Sequence, residues 1–210
     1  MSRAVLAWHF APADMRCAHD GRRIRVGQTL TVEGQPILCA HGLHASVRVI
    51  DALGYAPPHT RLCRVRVGGD VVTGSDKIAG TRRTVAWALT ERQTDRVLRR
   101  FACDVAEGAL RSARSAGREP DPRSWAAIEV ARRNAVGRAT DEELAAARDA
   151  AWAARDAASN AAWAAAWAAA SNAAWAAAWA AASDSARAAA SDAQNRLLAR
   201  LATAEHRRQP

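Results

Sequence analysis

The string SNAAWAAAWAAA occupies residues 159–170 and returns letter for letter at 171–182. A tandem copy at the level of single residues marks a repeat array, and alanine at this density favours helix over strand or loop. Around the repeat, Ala145 to Ala193 holds 30 alanines in 49 residues, and no Gly or Pro interrupts the chain between Arg138 and Pro210. Thr140 with Glu143 has capping-box spacing, and Asp141, Glu142 and Glu143 suit the positive end of a helix dipole. A continuous helix over 141–204 would be ~96 Å long, against about 30 Å for the domain that precedes it. The segment must therefore fold back as a hairpin, find a partner, or project into solvent.

The tryptophans narrow that choice. Seen down a helix axis, Trp152, Trp163, Trp167, Trp175 and Trp179 fall near about −20°, 0°, 40°, 120° and 160°. A repeat of twelve over three turns is about 4.0 residues per turn, more than even a right-handed coiled coil accommodates. Either the indoles wind around the helix, or Ser159-Asn160 and Ser171-Asn172 cap short helices that pack on one another. Open indoles on an uncharged alanine background invite association. The expectation is self-association into a homo-oligomer through these five tryptophans, with docking back onto residues 1–138 as the rival. Residues 157–183 carry no charge over 27 positions, long enough to span a bilayer. They contain no Leu, Ile, Val or Phe, and four tryptophans sit mid-stretch rather than at interfaces. No membrane span is expected.

Charge separates this segment from the rest. Residues 1–138 carry 23 basic and 13 acidic side chains, while residues 139–210 carry 7 and 8. The net charge of +9 thus belongs wholly to the first part. Arginine occurs 29 times and lysine once, at Lys77 beside Asp76, a bias expected of a GC-rich genome. Two units follow, a basic domain over 1–138 and a helical segment over 139–210. The short apolar patch Ala4 to Trp8 does not make a signal peptide, so a cytoplasmic location with reduced thiols is expected.

Within the first part, Ala4–Phe10, Arg23–Val26, Thr29–Val32, Arg61–Val67 and Thr84–Leu89 are short β-prone runs. Asp20-Gly21, Glu33-Gly34, Pro57-Pro58 and Gly68-Gly69 read as punctuation between them. Ser46 to Tyr55 predicts a short helix. Thr90 with Gln93 opens another, whose apolar face is Val97, Leu98, Phe101, Val105 and Leu110. Asp121-Pro122 starts a third, ending near Gly137. The fold class is α+β: a small mixed-sheet domain with helices, then a long Ala/Trp-rich helix or helical hairpin.

Chemistry-bearing motifs are few. Cys17-Ala18-His19 and Cys39-Ala40-His41 repeat a Cys-x-His step, with His44 close by. On a strand, positions i and i+2 point the same way, so Cys17, His19, Cys39 and His41 could together face one zinc. That spacing is not a usual zinc signature, and no metal is expected. Arg92, Arg96, Arg99 and Arg100 line one face of the helix after Thr90, where they could grip the phosphates of a nucleic acid. No nucleophile elbow, phosphate-cradling glycine loop or HExxH occurs, and no complete catalytic set stands in the chain.

Two resemblances add to this. Gly42-Leu43-His44-Ala45-Ser46, Ala52-Leu53-Gly54-Tyr55-Ala56, Leu62-Cys63-Arg64-Val65, Asp76-Lys77, Arg83-Thr84 with Trp87, the Phe101-Ala102 helix and the tail after Thr140 resemble a family of uncharacterised phage and prophage proteins. That family is known only as a domain of unknown function. The resemblance implies a phage or prophage origin and no activity; two chemically distinct halves without a complete catalytic set lead to the expectation of an accessory protein whose first domain binds a ligand or a host protein. Separately, Trp8-His9 on a first strand, Gly42-Leu43-His44, the short helix ending at Tyr55-Ala56 and the strand Leu62–Val67 look like the NAD-binding core of ADP-ribosyltransferases. That likeness implies NAD as cofactor, His9 on the nicotinamide ribose, His44 at the stacking position and Tyr55 nearby. His44 stands where that family has Tyr. No Glu falls at the catalytic third position; Glu91 follows the last strand but opens the next helix. The likeness thus implies an NAD-binding protein that either transfers ADP-ribose through His9, His44 and Tyr55 or, lacking the carboxylate that polarises the ribose hydroxyl, is inactive.

Overall fold

The computed structural model of the protein describes residues 4–17, 20–151, 153 and 173–209, with the backbone alone for 173–188. The fold is α+β, an antiparallel sheet followed by helices. Five strands form the sheet: β1 (Val5–Pro12), β2 (Thr29–Thr31), β3 (Leu43–Ala45), β4 (Thr60–Thr73) and β5 (Ile78–Ala88). The helices are α1 (Val49–Leu53), α2 (Glu91–Ser115), α3 (Pro122–Ala135), α4 over 141–151, and α5 (Ala173–Arg207). Their contacts divide the chain into one unit of Met1–Val97 with Gln194–Pro210 and another of Leu98–Ala193.

In the first unit the strand order is β1-β4-β5-β2, and β3 also pairs with β5, beyond β2. These ladders are all antiparallel, while Val26 and Val85 make an isolated parallel bridge. β1 is covered on both faces: Ala7 and Ala11 enter the main apolar cluster with Val65, Val67, Val85 and Ile78, while Trp8 and Phe10 on the opposite parity are buried as well. Gly74 N–H donates to Lys77 C=O at 2.8 Å, which closes the β4–β5 hairpin and leaves Asp76 and Lys77 at its end.

Two β readings change. Gly68-Gly69 lies inside β4 rather than in a turn, because the register slips between Gly68 and Val71. Gly69 supplies the φ of +76° that this bulge needs. Arg23–Val26 makes only isolated bridges, Arg16–Arg23 and Val26–Val85, whereas Leu43–Ala45 is a true strand. The helix starts stand as the sequence predicts them. Thr90 N–H donates to Gln93 Oε1 at 2.8 Å and Gln93 N–H to Thr90 Oγ1 at 3.2 Å. Asp121 accepts from Arg123 N–H at 2.8 Å. Thr140 N–H donates to Glu143 Oε2 at 2.7 Å, and Glu143 N–H donates back to Thr140 Oγ1 at 3.1 Å.

The end of α5 belongs to the sheet unit. Leu198 and Ala202 are fully buried, Asn195 Oδ1 accepts from Ile50 N–H at 3.3 Å, and the His206 ring stacks on Trp87 with centroids 4.4 Å apart. In the other unit, Arg132 bonds Asp104 at 2.9 Å and also Glu107, tying α2 to α3. Arg114 lies over the Trp125 ring. Among the described residues no helix is long and apolar enough to cross a membrane.

Candidate functional site

The sheet bends until β3 reaches β1. Trp8 N–H donates to Ser46 C=O at 2.7 Å and Ser46 N–H to Trp8 C=O at 2.9 Å. Because β1 pairs with β4, β4 with β5 and β5 with β3, this bridge joins the two ends of a curled path. His9 stands on the parity of Ala7 and Ala11, so it points inward with those core alanines. Arg83, two residues before the core residue Val85, points inward from β5 by the same rule.

Two cavities meet there. One, of about 360 Å³, is lined by Trp8, Cys39, Ala45, Ser46, Ala52 and Lys77 together with His9, Phe10, His44 and Tyr55. The other, of about 500 Å³, shares those last four residues and continues past Arg16, Cys17, Asp20, Arg22, His41 and Arg83. His9, His44 and Tyr55 are therefore brought together on the wall that the two cavities share.

Burial sets the charge states. His9 is held well below the ordinary imidazole range by desolvation first, then by the Arg83 charge and by His44. His44 is lowered chiefly by burial, with hydrogen bonding to the Gly42 and Ile37 backbone pulling the other way and the Lys77 and Arg83 charges adding to the fall. Its Nε2 accepts from Cys39 N–H at 3.1 Å, which places the ring proton on Nδ1. Both imidazoles are thus neutral near pH 7 and can hydrogen-bond a sugar hydroxyl or pack against a flat ring.

At the hairpin end a second cluster faces the smaller cavity. Lys77 Nζ lies 3.2 Å from Cys39 Sγ and 4.1 Å from the Tyr55 ring centroid. The Tyr55 hydroxyl donates to Asp76 Oδ2. Hydrogen bonding to Tyr55 and then to Cys39 holds the Lys77 ammonium above its ordinary value. The lone lysine is therefore part of the cleft wall.

Other candidates fall elsewhere. Glu91 accepts from His59 Nδ1 at 2.9 Å and lines neither cavity. The zinc reading required strands, but Cys39 sits in a turn with φ +65° and His41 Nε2 is held 2.6 Å from Glu33 C=O. His19 lies outside the described residues, and among those described no group of His, Cys, Asp or Glu could hold a metal ion. Of the arginine face, Arg96 donates to Glu205 at 2.9 Å, Arg99 to Asn134, and Arg100 stands 4.0 Å from Asp104; Arg92 is exposed. Trp152, Trp163 and Trp167 lie outside the described residues, as do the side chains of Trp175 and Trp179.

Arg83 was missed as a site residue. Only its strand parity could have signalled it, and that parity is visible once Val85 is known to face inward. Comparison with curated proteins returns no match, and neither does comparison with solved structures. Residues 5–96, which hold the whole sheet and both cavities but none of the Ala/Trp tail, match the family model described as Domain of unknown function (DUF7666).

Proposed function

We propose that the sheet domain binds a small ligand of NAD type, with a flat ring and a hydroxylated sugar, and does so without transferase chemistry. The observation that carries this reading is the convergence of His9, His44 and Tyr55 on both cavities. A neutral His9 can accept from or donate to a ribose hydroxyl, and the His44 and Tyr55 rings offer faces to a flat heterocycle. Glu91, committed to His59, offers no carboxylate to the cleft, which favours binding over transfer. In keeping with the resemblance to phage and prophage proteins, the chain acts as an accessory protein whose Ala/Trp tail drives self-association.

Calorimetry on the full chain tests the binding reading: NAD should bind saturably, and His9→Ala should weaken it at least tenfold. No binding heat, or unchanged affinity in the variant, overturns it. Light scattering tests assembly. The full chain should run as an oligomer that dissociates when the five tail tryptophans become alanine, and a monomeric wild-type chain would sink the claim.

A further inference from the structure

We infer that the larger cavity is an anion site, and that it takes a diphosphate group with the buried Arg83 as its anchor. The inference rests on the reading of the cleft as a ligand site, and it adds the charged part of the ligand that His9 and His44 do not specify.

Arg83 is 4% exposed and lines the cavity. Its Nη1 donates to His44 C=O at 2.7 Å, while its Nε has no hydrogen-bond partner. A buried guanidinium is tolerated when a carboxylate answers its charge. Among the described residues none pairs with it. The carboxylate whose charge reaches it is Asp20, whose Oδ2 already accepts from Arg22 Nε at 2.7 Å. The thiols beside it do not compensate, because burial raises Cys17 and pushes Cys63 up to about 11, so both stay protonated at neutral pH. His9 and His44 are neutral for the reasons given above. The cavity wall therefore keeps a guanidinium with no bonded carboxylate in a desolvated place, where attraction for an anion is strongest.

The surrounding groups favour a diphosphate over a single carboxylate. Arg16 and Arg22 line the same cavity as Arg83, with Asp20 as the one acid among the lining residues. Arg16 Nη1 donates to Gly21 C=O at 2.9 Å and Arg22 Nη1 to Thr31 C=O at 2.8 Å, which holds both in the cavity wall. Three guanidiniums against one carboxylate leave two charges to be met, as a diphosphate would meet them. The space of about 500 Å³ is ample for that group, and its shared wall with the smaller cavity would let one ligand occupy both.

The test is calorimetry and thermal unfolding of the full chain with inorganic pyrophosphate, with acetate and sulfate as controls. Wild-type protein should bind pyrophosphate saturably and melt at a higher temperature in its presence. Arg83→Gln should weaken binding at least tenfold. If that variant does not fold, the pair Arg16→Gln with Arg22→Gln, at an exposed and a half-buried position, serves instead and should weaken binding severalfold. Absence of saturable binding, sulfate binding as tightly as pyrophosphate, or unchanged affinity in whichever variant folds would overturn the inference. Its fate separates from that of the NAD reading. Pyrophosphate bound but NAD refused would uphold the anion site and remove NAD. NAD bound equally well by Arg83→Gln, with pyrophosphate refused, would do the reverse.

Discussion

A histidine taken out of water, with a guanidinium charge acting on it, gives up its proton more readily than one in solvent, and the cost of that appears in stability. The folded His9 and His44 both have lowered pKa values. Near pH 8 the rings are neutral whether the chain is folded or not, so they contribute no pH dependence. Below about 6.5 the unfolded chain takes up protons that the native rings refuse, and stability falls by up to about 1.4 kcal/mol per pH unit per site. Urea midpoints measured from pH 8 down to pH 5 should therefore decline, and His9→Gln should flatten the decline. An identical slope in the variant would show that His9 is not the group responsible. Gly80 makes a second residue-scale prediction. A Cβ there would meet Val67 Cγ1 at 2.5 Å and the Gly68 carbonyl at 2.9 Å. Gly80→Ala should cost about 1–3 kcal/mol in urea unfolding, because β4 cannot yield on that side without losing its ladder.

At the scale of elements, a buried hydroxyl ties the start of α2 to the sheet. Thr94 Oγ1 accepts from Leu62 N–H at 3.0 Å and donates to Thr90 C=O at 2.9 Å, and the residue has no exposed surface. Thr94→Val keeps the shape but orphans the Leu62 N–H, so it should cost about 1–3 kcal/mol. Thr90→Ala removes only a cap and should cost about 1 kcal/mol. The reverse order in equilibrium unfolding would contradict this account. The helix starts were legible in the sequence because a capping box is a local pattern, complete within four residues. β3 and the bulge in β4 were not, since a three-residue strand has too few positions to show a period. A Gly-Gly pair reads alike whether it makes a turn or a register slip. Arg83 was obscured for a related reason: its role depends on which face of β5 meets the core, and that is decided by β4 and β2 on either side.

For the whole molecule, the C-terminus matters more than its place at the end of an alanine-rich segment implies. Leu198 is fully buried in the sheet unit, and Gln209 Nε2 donates to Ala88 C=O at 3.3 Å and to Gln93 Oε1 at 2.9 Å. Leu198→Ala should destabilise the sheet unit by about 2–5 kcal/mol, measurable as a lower melting temperature reported by tryptophan fluorescence. A neutral effect would mean that this contact is dispensable. The charge contrast across residue 138 did not foretell this return, because the docking residues Leu198, Ala202 and His206 are too few to shift the composition of the tail. The sequence by itself determined the helix starts, most of the strands and the basic character of the first part, which follow from local spacing and chemistry, while His9, His44 and Tyr55 were singled out only by the likeness to ADP-ribosyltransferases. Only the tertiary structure decided that β1 and β3 meet, that Arg83 of β5 lies buried with no carboxylate hydrogen-bonded to it, and that the final turns of α5 cover Trp87. Those facts are long-range pairings, and the burial they produce sets the charge states on which the cleft depends.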